Sequence, residues 1–207
     1  MAQAARRLGI FGGTFDPIHV GHLTAAVNAR YSLHLDVVLL MVANVPWQKV
    51  GLRQVTPAED RFAVVAAAVQ GLEGLEASRM EIDRGGESYT ADTLGELARD
   101  EPGIELFLIV GADVASELET WKGVESIRQL ATLVVVNRPG SWVEPDLPGW
   151  RVATVEIPAL DVSSTDLRQR AVDGRPLDFL IPEPAVRCIR ERGLYAEPVM
   201  ADRRDRA

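Results

Sequence analysis

The chain has 207 residues, 47% hydrophobic and 25% charged, which suits one globular domain able to bury a full core. A formal net charge of −8 argues against a general binder of nucleic acid or of anionic membranes. One cysteine excludes an internal disulfide framework; with no signal-like start and no apolar run near the ~20 residues of a membrane span, the expected setting is cytoplasmic.

Apolar runs and helical periodicity alternate along the chain. A strand over 8–11 precedes a helix over 23–33, a strand over 37–42 and a helix over 57–69. A weaker strand over 75–82 leads to a helix over 91–98, a strand over 106–110 and a helix over 124–130. Strands over 133–136 and 152–157 follow, then helices over 165–172 and 185–192. Continuous apolar strands between amphipathic helices predict an α/β fold, a mainly parallel sheet with helices on both faces. There is no internal repeat or low-complexity tract, and a single domain is expected over 1–207.

Several boundaries carry their own chemistry. Thr56-Pro57-Ala58-Glu59 reads as a capping box with proline at the first helical position. Gly193 reads as the C-terminal cap of the last helix, with Leu194 and Tyr195 packing back onto it. Cys188 falls on the apolar face of that helix and reads as core rather than nucleophile. Residues 139–150 read as a loop, and 197–207 as a charged, frayed tail.

The most informative run is Gly9 to Leu23. A strand feeds the turn Gly12-Gly13-Thr14, Asp16-Pro17 bends the chain, and His19 and His22 open a helix one turn apart. Glycine turns, a helix N-terminus and two imidazole donors around one volume suit a polyphosphate. No lysine follows the glycines as a P-loop requires. The spacing is wrong for a dinucleotide-binding turn, and Asp36 comes before the second strand rather than after it. The plainer reading is that the histidines only cap the helix. Zinc is disfavoured, because His34 and Cys188 are the only other histidine and cysteine.

Three further stretches have both a structural and a functional reading. Ser163-Ser164-Thr165, with Arg168 a turn later, is an ordinary N-cap or an anion-binding helix start. Gly111-Ala112-Asp113 follows an apolar strand, so Asp113 either faces a ligand crevice or caps a helix. Trp121 is a core residue or a stacking platform, and Glu87 to Leu94 opens a helix with Ser/Thr/Asp capping chemistry.

Together these motifs resemble the nucleotidylyltransferase superfamily of the His-x-Gly-His type, and within it the bacterial nicotinate-nucleotide adenylyltransferases. The resemblance runs from Gly9 to Arg168, and the Gly-Leu-Tyr run at 193–195 also fits. It implies a Rossmann-like nucleotidylyltransferase fold and transfer of AMP from ATP to nicotinate mononucleotide, giving deamido-NAD and pyrophosphate in NAD biosynthesis. By resemblance, His19, His22 and Arg168 are catalytic. ATP falls to Gly12, Gly13, Thr14, His19, His22, Lys49, Gly111, Asp113, Ser163, Ser164, Thr165 and Arg168. Tyr89, Thr90, Trp121 and Lys122 take the mononucleotide, with the Thr90 and Lys122 amides on the nicotinate carboxylate and Trp121 on the pyridine.

One departure lies at Asn44-Val45-Pro46-Trp47-Gln48-Lys49, which is one residue longer than the family's Asn-Pro-Pro-His-Lys and lacks its histidine. Mg²⁺ is expected to arrive with ATP; no protein metal ligand is firmly assigned, Asp16 being the candidate. ATP and nicotinate mononucleotide are the expected partners, with neither nucleic acid nor membrane, and a homo-oligomer is left open. Rival activities are adenylyl transfer to nicotinamide mononucleotide or pantetheine phosphate, or non-catalytic nucleotide sensing.

Overall fold

The computed structural model describes residues 5–46, 54–137 and 147–196. Among these, six strands form one parallel sheet: β1 (Arg7–Gly13), β2 (Val37–Val42), β3 (Leu75–Ser78), β4 (Glu105–Gly111), β5 (Ala131–Asn137) and β6 (Val152–Glu156). Their order is β3-β2-β1-β4-β5-β6, the doubly wound arrangement. The helices are α1 (Val20–Ser32), α2 (Ala58–Val69), α3 (Met80–Arg84), α4 (Thr90–Asp100), α5 (Ala112–Ala115), α6 (Val124–Leu130), α7 (Ser164–Val172) and α8 (Glu183–Glu191). A 3-10 turn occupies Leu118–Thr120.

The inner strands β2, β4 and β5 read as apolar runs because both faces of the sheet are covered there. Val38, Leu40, Phe107, Ile109, Val134 and Val136 pack into one core with α1, α2, α7 and α8. Leu8, Ile10, Met41, Leu106, Leu108 and Val110 pack into a second core with Leu94 of α4, Ala115 of α5 and Ile127 of α6. Alternate residues of one strand thus serve opposite faces, as the two-residue period of a strand requires.

Two expectations need correction. The strand expected over 75–82 stops at Ser78, and Met80–Arg84 forms a short helix. That helix seats the buried Glu81, whose carboxylate accepts the Thr93 hydroxyl at 2.7 Å. The Thr56 capping box does not form: Pro57 itself is the N-cap of α2 and has no side-chain cap bond. The Thr56 carbonyl instead accepts from Arg61 Nε at 2.7 Å.

The C-terminal cap forms as expected. Gly193 adopts φ 61°, Gly193 N–H donates to the Arg190 carbonyl and Leu194 N–H to the Ile189 carbonyl, a Schellman pair. Leu194, Tyr195 and the half-buried Cys188 pack against the first core. The expected frayed tail over 197–207 and most of the loop over 139–150 lie outside the described residues.

Candidate active site

A cleft of about 910 Å³ opens where β1 and β4 lie side by side and their following helices leave for opposite faces. Crevices of open α/β sheets form at this switch point, beyond the carboxyl ends of the strands. Into it the fold brings Gly12, Gly13, Thr14, His19, His22, Gly111, Asp113, Ser163, Ser164, Thr165 and Arg168, and also Tyr89, Thr90, Trp121 and Lys122. Of the sequence-derived site residues only Lys49 lies outside the described residues, as does Trp47.

The glycines of the turn divide their work. A Cβ built on Gly12 meets nothing within 4 Å, so its backbone borders open cleft. A Cβ on Gly13 would stand 2.8 Å from the Phe15 ring, and one on Gly21 would stand 3.0 Å from the His19 ring. Gly13 and Gly21 therefore serve packing. Phe15 holds φ 47°, a left-handed conformation that a bulky residue rarely adopts. Its ring is fixed against Gly13 and edge-on to Phe11 at 5.9 Å.

His19 is the buried N-cap of α1, and His22 is its third helical residue. The two rings stack at 3.8 Å with an interplanar angle of 30°. His22 Nδ1 accepts the His19 N–H at 3.2 Å, so the neutral ring carries its proton on Nε2, a donor. The capping reading holds for His22, one nitrogen of which closes the helix start, and the ring also lines the cleft.

The turn is anchored from distant elements. Arg61 Nη1 donates to the Thr14 carbonyl at 2.8 Å, Arg168 Nη1 to the Asp16 carbonyl at 2.7 Å, and Ser164 Oγ to the Pro17 carbonyl at 2.9 Å. Tyr195 donates its phenol to Asp16 Oδ1 at 2.9 Å, and Asp16 is 1% exposed. Arg61, also 1% exposed, reaches the Asn44 carbonyl after β2 at 3.0 Å as well. One guanidinium thus spans the loops after β1 and β2 and the start of α2.

At α7 the plain reading holds for Ser163, whose hydroxyl accepts the Asp166 N–H at 3.2 Å as an N-cap. Arg168 Nη2 leans on Thr165 Oγ1 at 3.2 Å, which holds the guanidinium beside the cleft. What this helix start offers an anion is its first-turn N–H groups and that arginine. Asp113 is not a cap, because Gly111 occupies that position of α5; its exposed carboxylate lines the cleft.

The far corner of the cleft joins the start of α4 to the chain before α6. Tyr89 is the N-cap of α4 and Thr90 its first residue. Lys122 Nζ lies 3.9 Å over the Tyr89 ring, and the Tyr89 hydroxyl donates to Glu87, which holds its pKa above the ordinary value. Trp121, half-buried, packs on the second core as the structural reading expects, and it also lines the cleft.

Sequence reasoning missed Arg61 and Tyr195. Arg61 left one signal: it shares the helical stripe of Val64, Val65 and Ala68, where a charge is out of place. Among the described residues no three His, Cys, Asp or Glu side chains gather as a metal-holding group, and no helix is long and apolar enough to cross a membrane.

Residues 10–170 match the model of cytidylyltransferase-like proteins. The chain belongs to this family. Within it, a probable nicotinate-nucleotide adenylyltransferase of Corynebacterium kroppenstedtii is 45% identical over 192 residues, covering 91% of this chain and 90% of the relative. A protein of the same name from Corynebacterium glutamicum is 42% identical over 193 residues, covering 91% and 88%. Among solved structures, the Plasmodium falciparum nicotinic acid mononucleotide adenylyltransferase complexed with NaAD superposes with a TM-score of 0.76, covering 92% of this chain and 97% of that one. At 16% identity that likeness concerns the fold, which is Rossmann-like.

Proposed function

We propose that this chain is a nicotinate-nucleotide adenylyltransferase, transferring AMP from ATP to nicotinate mononucleotide with release of pyrophosphate. The observation that carries the reading is one cleft lined both by a glycine turn with two helix starts and by a corner with an indole. The first half suits a triphosphate, the second a small aromatic ring bearing a negative charge. The names of the extensively covered relatives favour this acceptor over nicotinamide mononucleotide or pantetheine phosphate, and favour an enzyme over a sensor.

The mononucleotide phosphate attacks the α-phosphorus of ATP in line, and pyrophosphate leaves. A phosphate monoester with its second pKa near 6 is largely dianionic at neutral pH, so no side-chain base is required. The chain supplies alignment and charge stabilisation. In this reading His22 donates from Nε2 to the transferring phosphate, with His19 stacked behind it. Gly12, Gly13 and Thr14, the start of α7 and Arg168 hold the triphosphate, and Lys49 adds a cation. Gly111 and Asp113 border the nucleoside. Tyr89, Thr90, Trp121 and Lys122 receive the pyridine and its carboxylate.

Mg²⁺ would arrive with ATP; Asp16 is the carboxylate of the turn that would face it, with its Oδ1 already taking the Tyr195 phenol. When bound, the ion would offset charge on the leaving pyrophosphate. The setting we propose is the cytoplasm.

The test is pyrophosphate release from ATP with nicotinate mononucleotide, nicotinamide mononucleotide and phosphopantetheine in parallel. Backbone donors matched to a carboxylate are poorly matched by an amide, and each buried donor left without an acceptor costs about 1–3 kcal/mol. The acid mononucleotide should lead by at least ~10²-fold in kcat/KM. Equal efficiency with acid and amide would replace this reading by a dual-specificity enzyme.

A further inference from the structure

The C-terminal turn reaches the phosphate-binding loop through one hydroxyl. Gly193 and Leu194 close α8 with a Schellman pair, and the next residue, Tyr195, projects back to Asp16 in the turn between β1 and α1. The 2.9 Å bond joins residues 179 positions apart. The Thr56 carbonyl at the start of α2 is held by Arg61, whose guanidinium also grips Thr14. Arg192 ties the end of α8 to Asp60 at the start of α2 at 2.6 Å. Asp16, flanked by these anchors, lines the cleft between Thr14 and His19.

From this we infer that Tyr195 is a positioning residue for ATP: acting through Asp16, it holds the phosphate-binding loop in its working shape, and the C-terminal turn is thereby part of the active site. The inference rests on the adenylyltransferase reading for the identity of the nucleotide. The phenol touches no reacting atom, so its effect is confined to the loop. Asp16 is almost wholly buried, and its Oδ1 accepts this O–H donor away from bulk water. A hydrogen bond to a charged group in such a place is worth a factor of roughly ten or more in an equilibrium that depends on it. The loop carries the Thr14 hydroxyl and leads into His19, so the ATP side of the cleft loses alignment when the bond is lost. The mononucleotide corner, built on α4 and on Trp121, does not depend on it.

The decisive variant is Tyr195→Phe in the full chain, which keeps the ring and its packing and removes only the hydroxyl. Direct calorimetric titration with ATP should show about tenfold weaker binding. In turnover, kcat/KM for ATP should fall by a similar factor, while KM for nicotinate mononucleotide stays within about twofold. Asp16→Asn retains an acceptor oxygen, so Tyr195→Phe should also weaken ATP binding in that background. Asp16→Ala removes the acceptor, and there Tyr195→Phe should add little.

A purely structural role would lower the melting temperature of Tyr195→Phe and leave ATP affinity unchanged, and that result overturns the inference. So do equal changes for both substrates, or full additivity with Asp16→Ala. If the wild type is inactive with every acceptor, the functional reading fails. The ATP titration still decides the role of Tyr195, because it requires no turnover.

Discussion

His22 closes a helix start and lines the cleft, and one substitution read by two measurements tests what each position contributes. Its Nδ1 closes the start of α1, and the loss of such a cap costs about 1 kcal/mol. If its Nε2 proton also stabilises the transferring phosphate, His22→Ala should lower kcat by about 10²-fold or more while the chain stays folded. Steady-state kinetics beside thermal unfolding reads both effects; near-normal kcat would remove His22 from the chemistry and leave it as a cap. Trp121 has a similar double character. Trp121→Ala should raise KM for the mononucleotide about tenfold with KM for ATP little changed, the indole face being worth ~0.5–1.5 kcal/mol beyond area burial. Because the ring also packs on the second core, a stability loss below the ~3–5 kcal/mol of a fully buried tryptophan should accompany it. Trp121→Phe should restore part of both, and an unchanged KM would sink the stacking role. These residues were legible because their chemistry lies in short contiguous motifs at a strand end or a helix start. Arg61 and Tyr195 were not, since their partners on the loop lie 47 and 179 residues away.

At the scale of elements, the apolar period identified the longer helices and the four inner strands β1, β2, β4 and β5, where burial leaves a clear apolar run, while the edge strands β3 and β6, with exposed Glu76, Val152, Thr154 and Glu156, left a weaker one. It failed where an element is shorter than about two turns. α3, α5 and the turn at Leu118–Thr120 repeat no pattern that could reveal them, and α3 was absorbed into the apolar tail of β3. The start of α2 was misread for a different reason. Local capping chemistry at Thr56 was outcompeted by a partner within α2, Arg61 on its carbonyl. Helix α2 is consequently a bracket for the site as well as a cover for the sheet. Arg61→Met keeps the aliphatic stem but strips donors from three carbonyls, those of Thr14, Asn44 and Thr56. With each unsatisfied buried acceptor costing about 1–3 kcal/mol, the summed loss should exceed about 3 kcal/mol in urea unfolding. Arg61→Lys should recover little, because an ammonium cannot reproduce the planar fork that reaches all three. A Met variant with wild-type stability would show that these carbonyls find other donors.

Across the whole molecule, the proposed function asks an acidic chain of net charge −8 to hold an anion through fixed local dipoles and a few cations rather than through net charge. That design needs loops from both ends of the chain to be pinned together, and the pin from the C-terminal end is a phenol. Burial raises the Tyr195 pKa first, and the neighbouring Asp16 carboxylate raises it further. The sign of the consequence follows from linkage: the folded pKa lies above the unfolded value of about 10, so the stability contributed by this group is fully present below pH ~10. As pH climbs past that value, the unfolded chain releases the proton before the folded one does, and the contribution is lost on the way to the folded pKa. Tyr89, raised by its bond to Glu87, changes in the same direction from a half-buried position. Tyr195→Phe separates the two, since phenylalanine has no proton to release. Urea unfolding midpoints of wild type and Tyr195→Phe, measured from pH 7 to pH 11, should keep a constant gap up to about pH 9 and converge above pH 10. A gap that stays constant to pH 11 would mean that the phenol is no more buried beside a carboxylate than it is in the unfolded chain, and the contact between the C-terminal turn and the phosphate-binding loop would fall with it.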